Sequence, residues 1–422
     1  MLEPVIPNGN QTSICPIDTA TLRETVSEIV NSTQTIDIHT HLFAPEFGEM
    51  NLFGIDELLT YHYLVAELFR YSSIKPAQFW QLSKAEKAEL VWQRLFVENT
   101  PLSEATTGVI TILSELGLDA NTKDLSELRE YFSLLDVTEH IDLVLQKSRV
   151  SRVVMTNDPF DTIEVKIWER GLPIDERFSA ALRMDRLLND WQNTAAKIGW
   201  ANDLSGATIS EIRRFFDSWI AKMNPLYMAV SLPDNFDYFA EDVRNKLIRE
   251  VVLPTARENN LPFAPMVGVR RNVNPTLQSA GDGVGRGDIK SLEKLCLENS
   301  EVRFLATYLS RENQHELCVS ARKFSNLMPF GCWWFLNNPS IISEITRERL
   351  ELLGTSFIPQ HSDARVLEQL IYKWKHSRKI IADSLSESYE RLINAGRNVS
   401  KNDIKRDVGK LFSGNFENWT NR

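Results

Sequence analysis

Short apolar runs alternate with longer amphipathic stretches along most of this chain, and the alternation is the first guide to its fold. Runs with the length and composition of strands lie at 35–39, 152–156, 178–183, 227–232, 263–269, 303–309, 328–333 and 355–360. From the second run onward, stretches with helical spacing separate one run from the next. Such alternation predicts βα units around a parallel sheet. Eight units in a chain of 422 residues favour an α/β fold, the closed (β/α)8 TIM-type barrel.

Two stretches depart from the alternation. Residues 1–34 are predicted to form a lead-in unit with a helix at 16–32. This helix carries apolar residues at helical spacing: Leu22, Val26, Ile29 and Val30. Residues from about 55 to 148 contain amphipathic segments and no strand-like run. We therefore predict a helical insertion after the first strand of a barrel that spans residues 35–422.

Composition narrows the class of protein. Hydrophobic residues make up 43% of the chain and charged residues 25%, which is ordinary for a globular protein with a large core and excludes a disordered or fibrous chain. The formal net charge is −10, so a nucleic-acid surface, which needs a basic face, is not expected. An anionic membrane is excluded as a partner for the same reason, and any anionic substrate must be held by local arginines.

Cysteine usage and hydropathy indicate the compartment. The four cysteines include no C-x-x-C pair and are too sparse for a disulfide framework: Cys15, Cys296, Cys318 and Cys332. No stretch of about 18 apolar residues is present, and the N-terminus lacks the apolar core of a signal peptide. We expect a cytoplasmic protein with buried thiols.

Candidate chemistry begins at the first predicted strand. His39 and His41 are two residues apart, so in a strand their side chains share a face. Neutral imidazole is the commonest protein ligand of transition metals, and two imidazoles on one face offer a fixed pair of ligands. The alternative is two histidines satisfied by hydrogen bonds at the end of a strand, and this short motif alone does not decide between them.

The barrel prediction supplies a third ligand. Active sites of barrels lie at the carboxyl ends of the strands, and the first and eighth strands are neighbours. Asp363, which follows the eighth predicted strand, is therefore expected beside His39 and His41. Two histidines and a carboxylate leave room for water or substrate and suit Lewis-acid polarisation of a carbonyl. The alternative for Asp363 is a turn capped by Ser362 and Arg365.

Arginines and aromatic residues near other strand ends are further candidates. Arg183 and Arg365 offer planar forks for a carboxylate, unless salt bridges to Asp185 and Asp363 occupy them. The aromatic candidates have packing as the ordinary alternative, and at His62 and Tyr63 helical spacing favours it: His62, Tyr63, Trp334 and Trp374.

Several of these motifs together resemble a known family. They are Asp-x-His-x-His at 37–41, His62-Tyr63, Thr156-Asn157-Asp158-Pro159, Ala181-Leu182-Arg183-Met184-Asp185, Gly331-Cys332-Trp333-Trp334-Phe335 and His361-Ser362-Asp363-Ala364-Arg365. In combination, and over nearly the whole chain, the sequence resembles the uronate isomerases (glucuronate isomerases) of the amidohydrolase superfamily.

The resemblance implies a (β/α)8 barrel that binds one divalent metal, typically Zn²⁺, through His39, His41 and Asp363. It implies aldose–ketose isomerisation of D-glucuronate to D-fructuronate, and of D-galacturonate to D-tagaturonate, through an enediol. We expect a small sugar acid as the ligand and a homo-oligomer as the assembly. The residues implied for catalysis and substrate binding are Asp363, His62, Tyr63, Arg365, Arg183, Trp334 and Trp374.

One position departs from the family pattern, and one rival function stays open. Many family members carry a histidine after the fifth strand, where this chain has Met266. A thioether is a poor ligand for such an ion, so we expect weaker metal retention. The rival is a metal-dependent hydrolase or lactonase of the same superfamily, because two histidines and an aspartate also suit water activation. A barrel that binds sugar acids without turnover is the non-enzymatic alternative.

Overall fold

A curled parallel sheet forms the centre of the structure, a computed structural model that describes residues 17 and 19–421. The seven parallel strands are hydrogen-bonded in the order β1-β2-β3-β4-β5-β7-β8, and the short β6 pairs antiparallel with β5. Their bounds are β1 Thr35–Thr40, β2 Val150–Asn157, β3 Phe178–Arg183, β4 Met228–Pro233, β5 Phe263–Arg270, β6 Gly283–Val284, β7 Phe304–Tyr308 and β8 Leu327–Pro329. This half-barrel sheet is consistent with the predicted α/β barrel.

Neighbouring residues on these strands face different apolar clusters. In β2, Val153 and Met155 belong to the cluster that joins the sheet to its helices. Val154, between them, belongs to a second cluster that also contains Ala181 and Ala264. Parallel strands are covered on both faces and read as continuous apolar runs, which explains why these runs stood out in the sequence.

Helices connect the strands and cover the sheet. Their bounds are α1 Thr19–Ser32, α2 Ile55–Leu59, α3 His62–Tyr71, α4 Pro76–Phe79, α5 Lys84–Trp92, α6 Glu104–Leu116, α7 Ser126–Ser133, α8 Val137–Ser148, α9 Thr162–Glu169, α10 Asp185–Asn189, α11 Trp191–Ile198, α12 Gly206–Met223, α13 Val243–Leu247, α14 Leu253–Glu258, α15 Ile289–Glu298, α16 Gln314–Ala321, α17 Pro339–Leu353, α18 Gln369–Asn394, α19 Lys401–Gly409 and α20 Asn415–Thr420. Within the described residues, no helix is long and apolar enough to cross a bilayer.

The lead-in helix is present as α1. It packs against α18, where Leu22, Val26 and Ile29 share an apolar cluster with Ile381 and Leu385. The predicted start of this helix at residue 16 lies outside the described residues, as do Cys15 and half of the predicted unit 1–34.

The segment between β1 and β2 is helical, from α2 to α8. Many of its buried residues form an apolar cluster that contains no strand residue, including Leu59, Leu68, Trp92, Ile55 and Leu113. That these helices are an insertion into a barrel, with the bounds 55–148, stays a prediction.

The prediction of a regular eighth strand at 355–360 is wrong, since this segment forms only a single bridge, between Ile358 and Phe330, within the described structure. Pro359 lacks the N–H that a ladder requires, and Asp363 has a positive φ of 52°. The segment nevertheless lies beside both edge strands. Ile358 N donates to the carbonyl of Pro329 at 3.0 Å, and the N–H of His41 donates to Ala364 at 2.8 Å. The seventh predicted strand, 328–333, is likewise shorter, because β8 ends at Pro329.

Candidate metal centre and active site

Three predicted ligands meet where β1 ends and the segment after β8 passes beside it. His41 Nε2 lies 3.2 Å from Asp363 Oδ1, and His39 Nε2 lies 3.9 Å from the same oxygen. One ligand atom from each residue lies within 4.8 Å of the other two. The backbone holds this arrangement, because the N–H of Asp363 donates to the carbonyl of His39 at 3.2 Å.

The hydrogen bonds of His39 leave its Nε2 free for a metal. Tyr227 donates its one hydroxyl proton to the carbonyl oxygen of Ile38 at 2.6 Å. The Nδ1 of His39, 3.0 Å from that hydroxyl oxygen, must then supply the proton of their shared hydrogen bond. A neutral imidazole with its proton on Nδ1 has a bare lone pair on Nε2, which is the atom that faces Asp363.

His41 is held in the same tautomer by a different residue. Thr156 donates its hydroxyl proton to the carbonyl oxygen of Thr40 at 3.0 Å. The Nδ1 of His41, 2.8 Å from the Thr156 hydroxyl oxygen, therefore donates to it. Fixing the tautomer of a ligand histidine through its other ring nitrogen is the usual role of a residue behind a metal site.

Charge and burial also fit a metal. Burial lowers the pKa of His39 to about 3 and lowers that of His41 well below its ordinary value, so both imidazoles are neutral at pH 7. Asp363 Oδ1 is buried and has no hydrogen-bond partner in the described part of the chain. Two bare imidazole nitrogens and one bare carboxylate oxygen are a donor set that fits a divalent metal ion.

A hydrogen-bonded turn fixes the carboxylate. Asp37 accepts hydrogen bonds from the N–H of Ser362, at 3.1 and 3.2 Å, and from the indole nitrogen of Trp374 at 2.8 Å. The positive φ of Asp363 is a conformation that short polar side chains tolerate better than most. Asp37 therefore orients the turn that carries the candidate ligand Asp363.

Gly331, two residues after the end of β8, allows the close packing of this turn. Its φ is +65°, and a Cβ there would lie 1.7 Å from Nδ1 of the fully buried His361. Because the His361 ring also packs 5.4 Å from the ring of His39, it cannot move without disturbing a metal ligand. Glycine is required at this position for steric as well as conformational reasons.

We expect Gly331→Ala to lower the free energy of unfolding by about 3 kcal/mol or more, since backbone strain and overpacking add. Gly171→Ala is the matched control, because Gly171 has a similar φ of +61° and nothing within 4 Å of its virtual Cβ. The control should lose only about 1 kcal/mol. Urea denaturation measures both, and equal losses would contradict the role of the close contact.

A cavity of about 230 Å³ lies near the three candidate ligands, none of which is among the residues that line it. Its residues His62 and Arg365 act electrostatically on His41, and Asp363 acts on His62. Its lining includes His62, Trp334 and Arg365 of the predicted site, together with Tyr61 and Arg271. Arg365 forms no salt bridge with Asp363 in the described structure, so the predicted alternative of a paired arginine does not apply to it. Its side chain is hydrogen-bonded to Tyr61, which also lines the cavity, and its charge can act on an anionic ligand there.

His62 and Tyr63 begin α3, and His62 lines this cavity whereas Tyr63 does not. His62 Nε2 and the Tyr63 hydroxyl are both buried and have no hydrogen-bond partner in the described residues. Burial lowers the pKa of His62 to about 3, with Arg365 as the next cause, and burial raises the pKa of Tyr63 well above its ordinary value. Unpartnered buried polar atoms are costly, and a substrate in the cavity would offer them partners.

Arg183 lies at the end of β3 and pairs with Asp185, whose carboxylate accepts from Nε at 3.0 Å. The salt bridge that was the alternative for Arg183 is therefore present. The Arg183 side chain is 26% exposed, and its charge lowers the pKa of both His39 and His41 to a smaller extent than burial does. It lies close enough to the metal ligands to act on a bound anion while staying paired.

The two tryptophans take different positions. Trp334 lines the cavity, with its ring centroid 5.6 Å from that of His62, and its buried indole nitrogen has no hydrogen-bond partner among the described residues. Trp374 is only 1% exposed and donates its indole N–H to Asp37. The structure thus brings Trp334 to the site, whereas Trp374 lies behind it and does not line the cavity.

Met266 is a core residue. It is 1% exposed in β5 and packs in the apolar cluster that contains Ile38 and Ala229. That fewer protein groups hold the metal, and that the metal is retained more weakly, stay predictions.

Sequence reasoning missed three residues that the structure brings to the site: Tyr61, Tyr227 and Lys373. Tyr61 lies beside His62, which was singled out, so its place in the chain was a usable signal. Tyr227 reaches His39 from the position just before β4, nearly two hundred residues away in sequence. No local pattern could have found it.

Comparisons with solved structures identify close and distant relatives. A uronate isomerase from Bacillus halodurans C-125 is 51% identical, with a TM-score of 0.94, and the alignment covers 97% of this chain and 98% of that one. A uronate isomerase from Thermotoga maritima matches with a TM-score of 0.77 over 98% and 100% of the two chains, at 13% identity.

A glucuronate isomerase from Caulobacter crescentus matches with a TM-score of 0.73 at 14% identity, over 98% of this chain and 97% of that one. The two distant matches support the fold alone. No family model matches the chain, and no curated protein matches it.

The match to the Bacillus enzyme covers nearly the full length of both chains. Identity of 51% over that length is well above what a shared fold alone produces, and it favours an isomerase over the rival hydrolase. The chain belongs to the uronate isomerase family.

Proposed function

We propose that this isomerase interconverts D-glucuronate with D-fructuronate, and D-galacturonate with D-tagaturonate. The observation that carries the proposal is the group of possible ligands His39, His41 and Asp363, close enough to act electrostatically on a cavity lined by His62 and Arg365. A metal site, a neutral base and a cation for the sugar carbonyl thus lie near one another.

In this proposal His39, His41 and Asp363 hold one divalent metal, Zn²⁺ by preference for two nitrogens and one oxygen. The bound ion supplies Lewis-acid polarisation of a substrate oxygen. Arg365 adds a second positive charge at the edge of the cavity, where negative charge develops on the substrate oxygen.

Ring opening comes first, and we assign its proton transfer to the Asp363 carboxylate. The carboxylate takes the proton of the anomeric hydroxyl and returns one to the ring oxygen, so that the open aldehyde forms with no net change in protons. Asp363 suits this role because a carboxylate has two oxygens: Oδ1 faces the imidazoles of His39 and His41, which leaves the other oxygen to take the proton.

Proton transfer between C2 and C1 is assigned to His62 and Tyr63. The neutral His62 Nε2 takes the C2 proton while the Tyr63 hydroxyl gives its proton to O1, which yields the enediol. Tyr63 then recovers a proton from O2, and His62 returns its proton to C1 to complete the ketose. Both atoms are buried and unpartnered in the described residues, as groups awaiting a substrate would be.

Recognition of the sugar acid is assigned to Arg183 and Trp334. A guanidinium fork suits a carboxylate, and an indole face packs on a sugar ring. We assign Trp374 a positioning role instead of direct contact, because it is 1% exposed and its N–H is held by Asp37.

The remaining architectural proposal concerns barrel closure. The segment 358–364 forms backbone hydrogen bonds with both β8 and β1. This supports the proposal that it takes the place of an eighth strand, with irregular geometry, in a (β/α)8 barrel. The helices α2 to α8 would then be an insertion that carries His62 and Tyr63 to the mouth of the barrel. Cytoplasmic location agrees with the free, buried Cys296, Cys318 and Cys332, and a homo-oligomer stays a prediction from the sequence.

Nuclear magnetic resonance of D-glucuronate and D-galacturonate with the purified protein in D₂O tests the proposal. We expect conversion of at least one uronate to its ketose, and none of D-glucose, which lacks the carboxylate. Failure to convert either uronate, with hydrolysis of a sugar-acid lactone in the same sample, would overturn the substrate assignment.

A further inference from the structure

A lysine lies buried behind the proposed proton-transfer pair. Lys373, on α18, is 1% exposed. Its ammonium nitrogen lies 5.4 Å from the centre of the Tyr63 ring and 5.5 Å from that of the Tyr372 ring. Lysine is rarely buried so fully without a paired anion, and Lys373 forms no salt bridge within the described residues. Its position therefore calls for a function.

The surroundings of Lys373 favour its charged form even though burial opposes it. Burial lowers the pKa of Lys373, and the carboxylates of Glu104, Asp363 and Asp37 raise it in part. The two aromatic rings add cation–π attraction, which is strongest where water is excluded. The three carboxylates come from α6, β1 and the segment after β8, so the Lys373 ammonium lies between elements that all border the site.

Tyr372, the residue before Lys373 on α18, is held in place by close packing. A Cβ on Gly108 of α6 would lie 2.8 Å from the Tyr372 ring, so α6 packs as closely against that ring as glycine allows. A hydrogen bond between Tyr372 and Glu104 fixes its other end. Lys373 thus has little freedom to move away from Tyr63.

The groups around Tyr63 show why a cation there matters. Burial raises the pKa of Tyr63, and the groups next in importance, Tyr61, Asp363, Tyr372 and Glu104, raise it further. Each of them opposes negative charge on the phenol oxygen. A hydroxyl that gives a proton to the substrate and later recovers one needs a compensating positive charge while the phenolate exists.

We propose that Lys373 is a positioning residue for the isomerase reaction, whose ammonium orients the Tyr63 ring and stabilises its transient phenolate. Lys373 neither gives nor takes a proton, so the proton balance of the two transfers is unchanged. The inference rests on the proposed role of Tyr63 and adds the residue that makes this role energetically accessible.

Lys373→Met tests the charge at nearly constant volume. We expect kcat to fall about 30-fold with KM within about threefold of the wild-type value, because the loss is confined to the proton-transfer step. The basic limb of the kcat–pH profile should move to higher pH, since removing the cation makes Tyr63 harder to ionise. Lys375→Met is the matched control: Lys375 is two residues along α18, its side chain is 58% exposed, and it pairs with Glu115.

A second pair of variants isolates the connection to Tyr63. In a Tyr63→Phe background, Lys373→Met should change kcat by less than about twofold, because no phenolate remains to be stabilised. A folded Lys373→Met enzyme with wild-type kcat and pH profile would overturn the inference. So would an undiminished 30-fold loss in the Tyr63→Phe background.

If Lys373→Met does not fold, Lys373→Arg tests whether the charge at this position supports Tyr63. It keeps the charge, so kcat within about tenfold of wild type supports the inference, and a loss beyond about a hundredfold in a folded protein overturns it. Failure of the wild-type protein to isomerise uronates would instead overturn the proposed function. Normal activity of Tyr63→Phe would overturn the role of Tyr63, so the three failures are distinguishable.

Discussion

Replacing Asp363 by Asn should reduce uronate turnover at least about a thousandfold and leave the fold intact. The amide keeps the volume of the side chain but cannot serve as an anionic ligand or take the anomeric proton. Its N–H₂ group would also point at bare imidazole nitrogens. Steady-state kinetics measure the loss, and circular dichroism and urea denaturation test the fold.

Asp383→Asn is the control for Asp363→Asn, since Asp383 is an exposed carboxylate on α18 and is remote from the proposed chemistry. It should keep wild-type kinetics. Near-normal turnover by Asp363→Asn, with the metal still bound, would contradict the roles assigned to this carboxylate.

Removing the Tyr63 hydroxyl in Tyr63→Phe should lower kcat by about a hundredfold or more, with a small effect on KM. The hydroxyl has no hydrogen-bond partner in the described residues, so its loss breaks no contact of the folded protein. Stability should therefore be unchanged or slightly higher, because an unpartnered buried hydroxyl is destabilising.

Tyr71→Phe is the control for Tyr63→Phe, because Tyr71 ends the same helix and is 51% exposed. Its kinetics should match those of the wild-type enzyme. A Tyr63→Phe enzyme that is as active as this control would show that another group moves the proton at O1 and O2.

The fold could be predicted from the sequence where both faces of a strand are buried. Continuous apolar runs such as 178–183 and 263–269 correspond closely to β3 and β5. The run at 355–360 has the same composition, but Pro359 and the left-handed Asp363 interrupt its hydrogen bonding. Composition predicts where a strand can lie, whereas the regularity of its ladder depends on neighbours that the local sequence does not reveal.

The residues of the site also divide into those that the sequence could place and those that it could not. His39, His41 and Asp363 could be brought together from topology, because the first and last strands of a barrel are neighbours. Trp374 matched a family pattern, yet its indole nitrogen is committed to Asp37 in the interior. Which side of a helix faces a cavity is set by packing of distant elements, so motif matching located the site better than it assigned individual contacts.

The same limit explains Tyr227 and Lys373. Tyr227 fixes the tautomer of His39 from the other side of the sheet. Lys373 follows Tyr372 in an amphipathic helix, where a lysine ordinarily faces water. Only the three-dimensional arrangement shows that its ammonium lies against the Tyr63 ring.

The proposed catalytic metal is tested most directly by measuring D-glucuronate turnover and metal content on one sample, before and after chelation and after restoring Zn²⁺. We expect about one equivalent of divalent metal per chain, loss of turnover with loss of the metal, and recovery of both on reconstitution. A His39→Ala, His41→Ala double variant should retain no metal and no turnover. Full turnover by metal-free protein would contradict the claim that His39, His41 and Asp363 hold a catalytic metal.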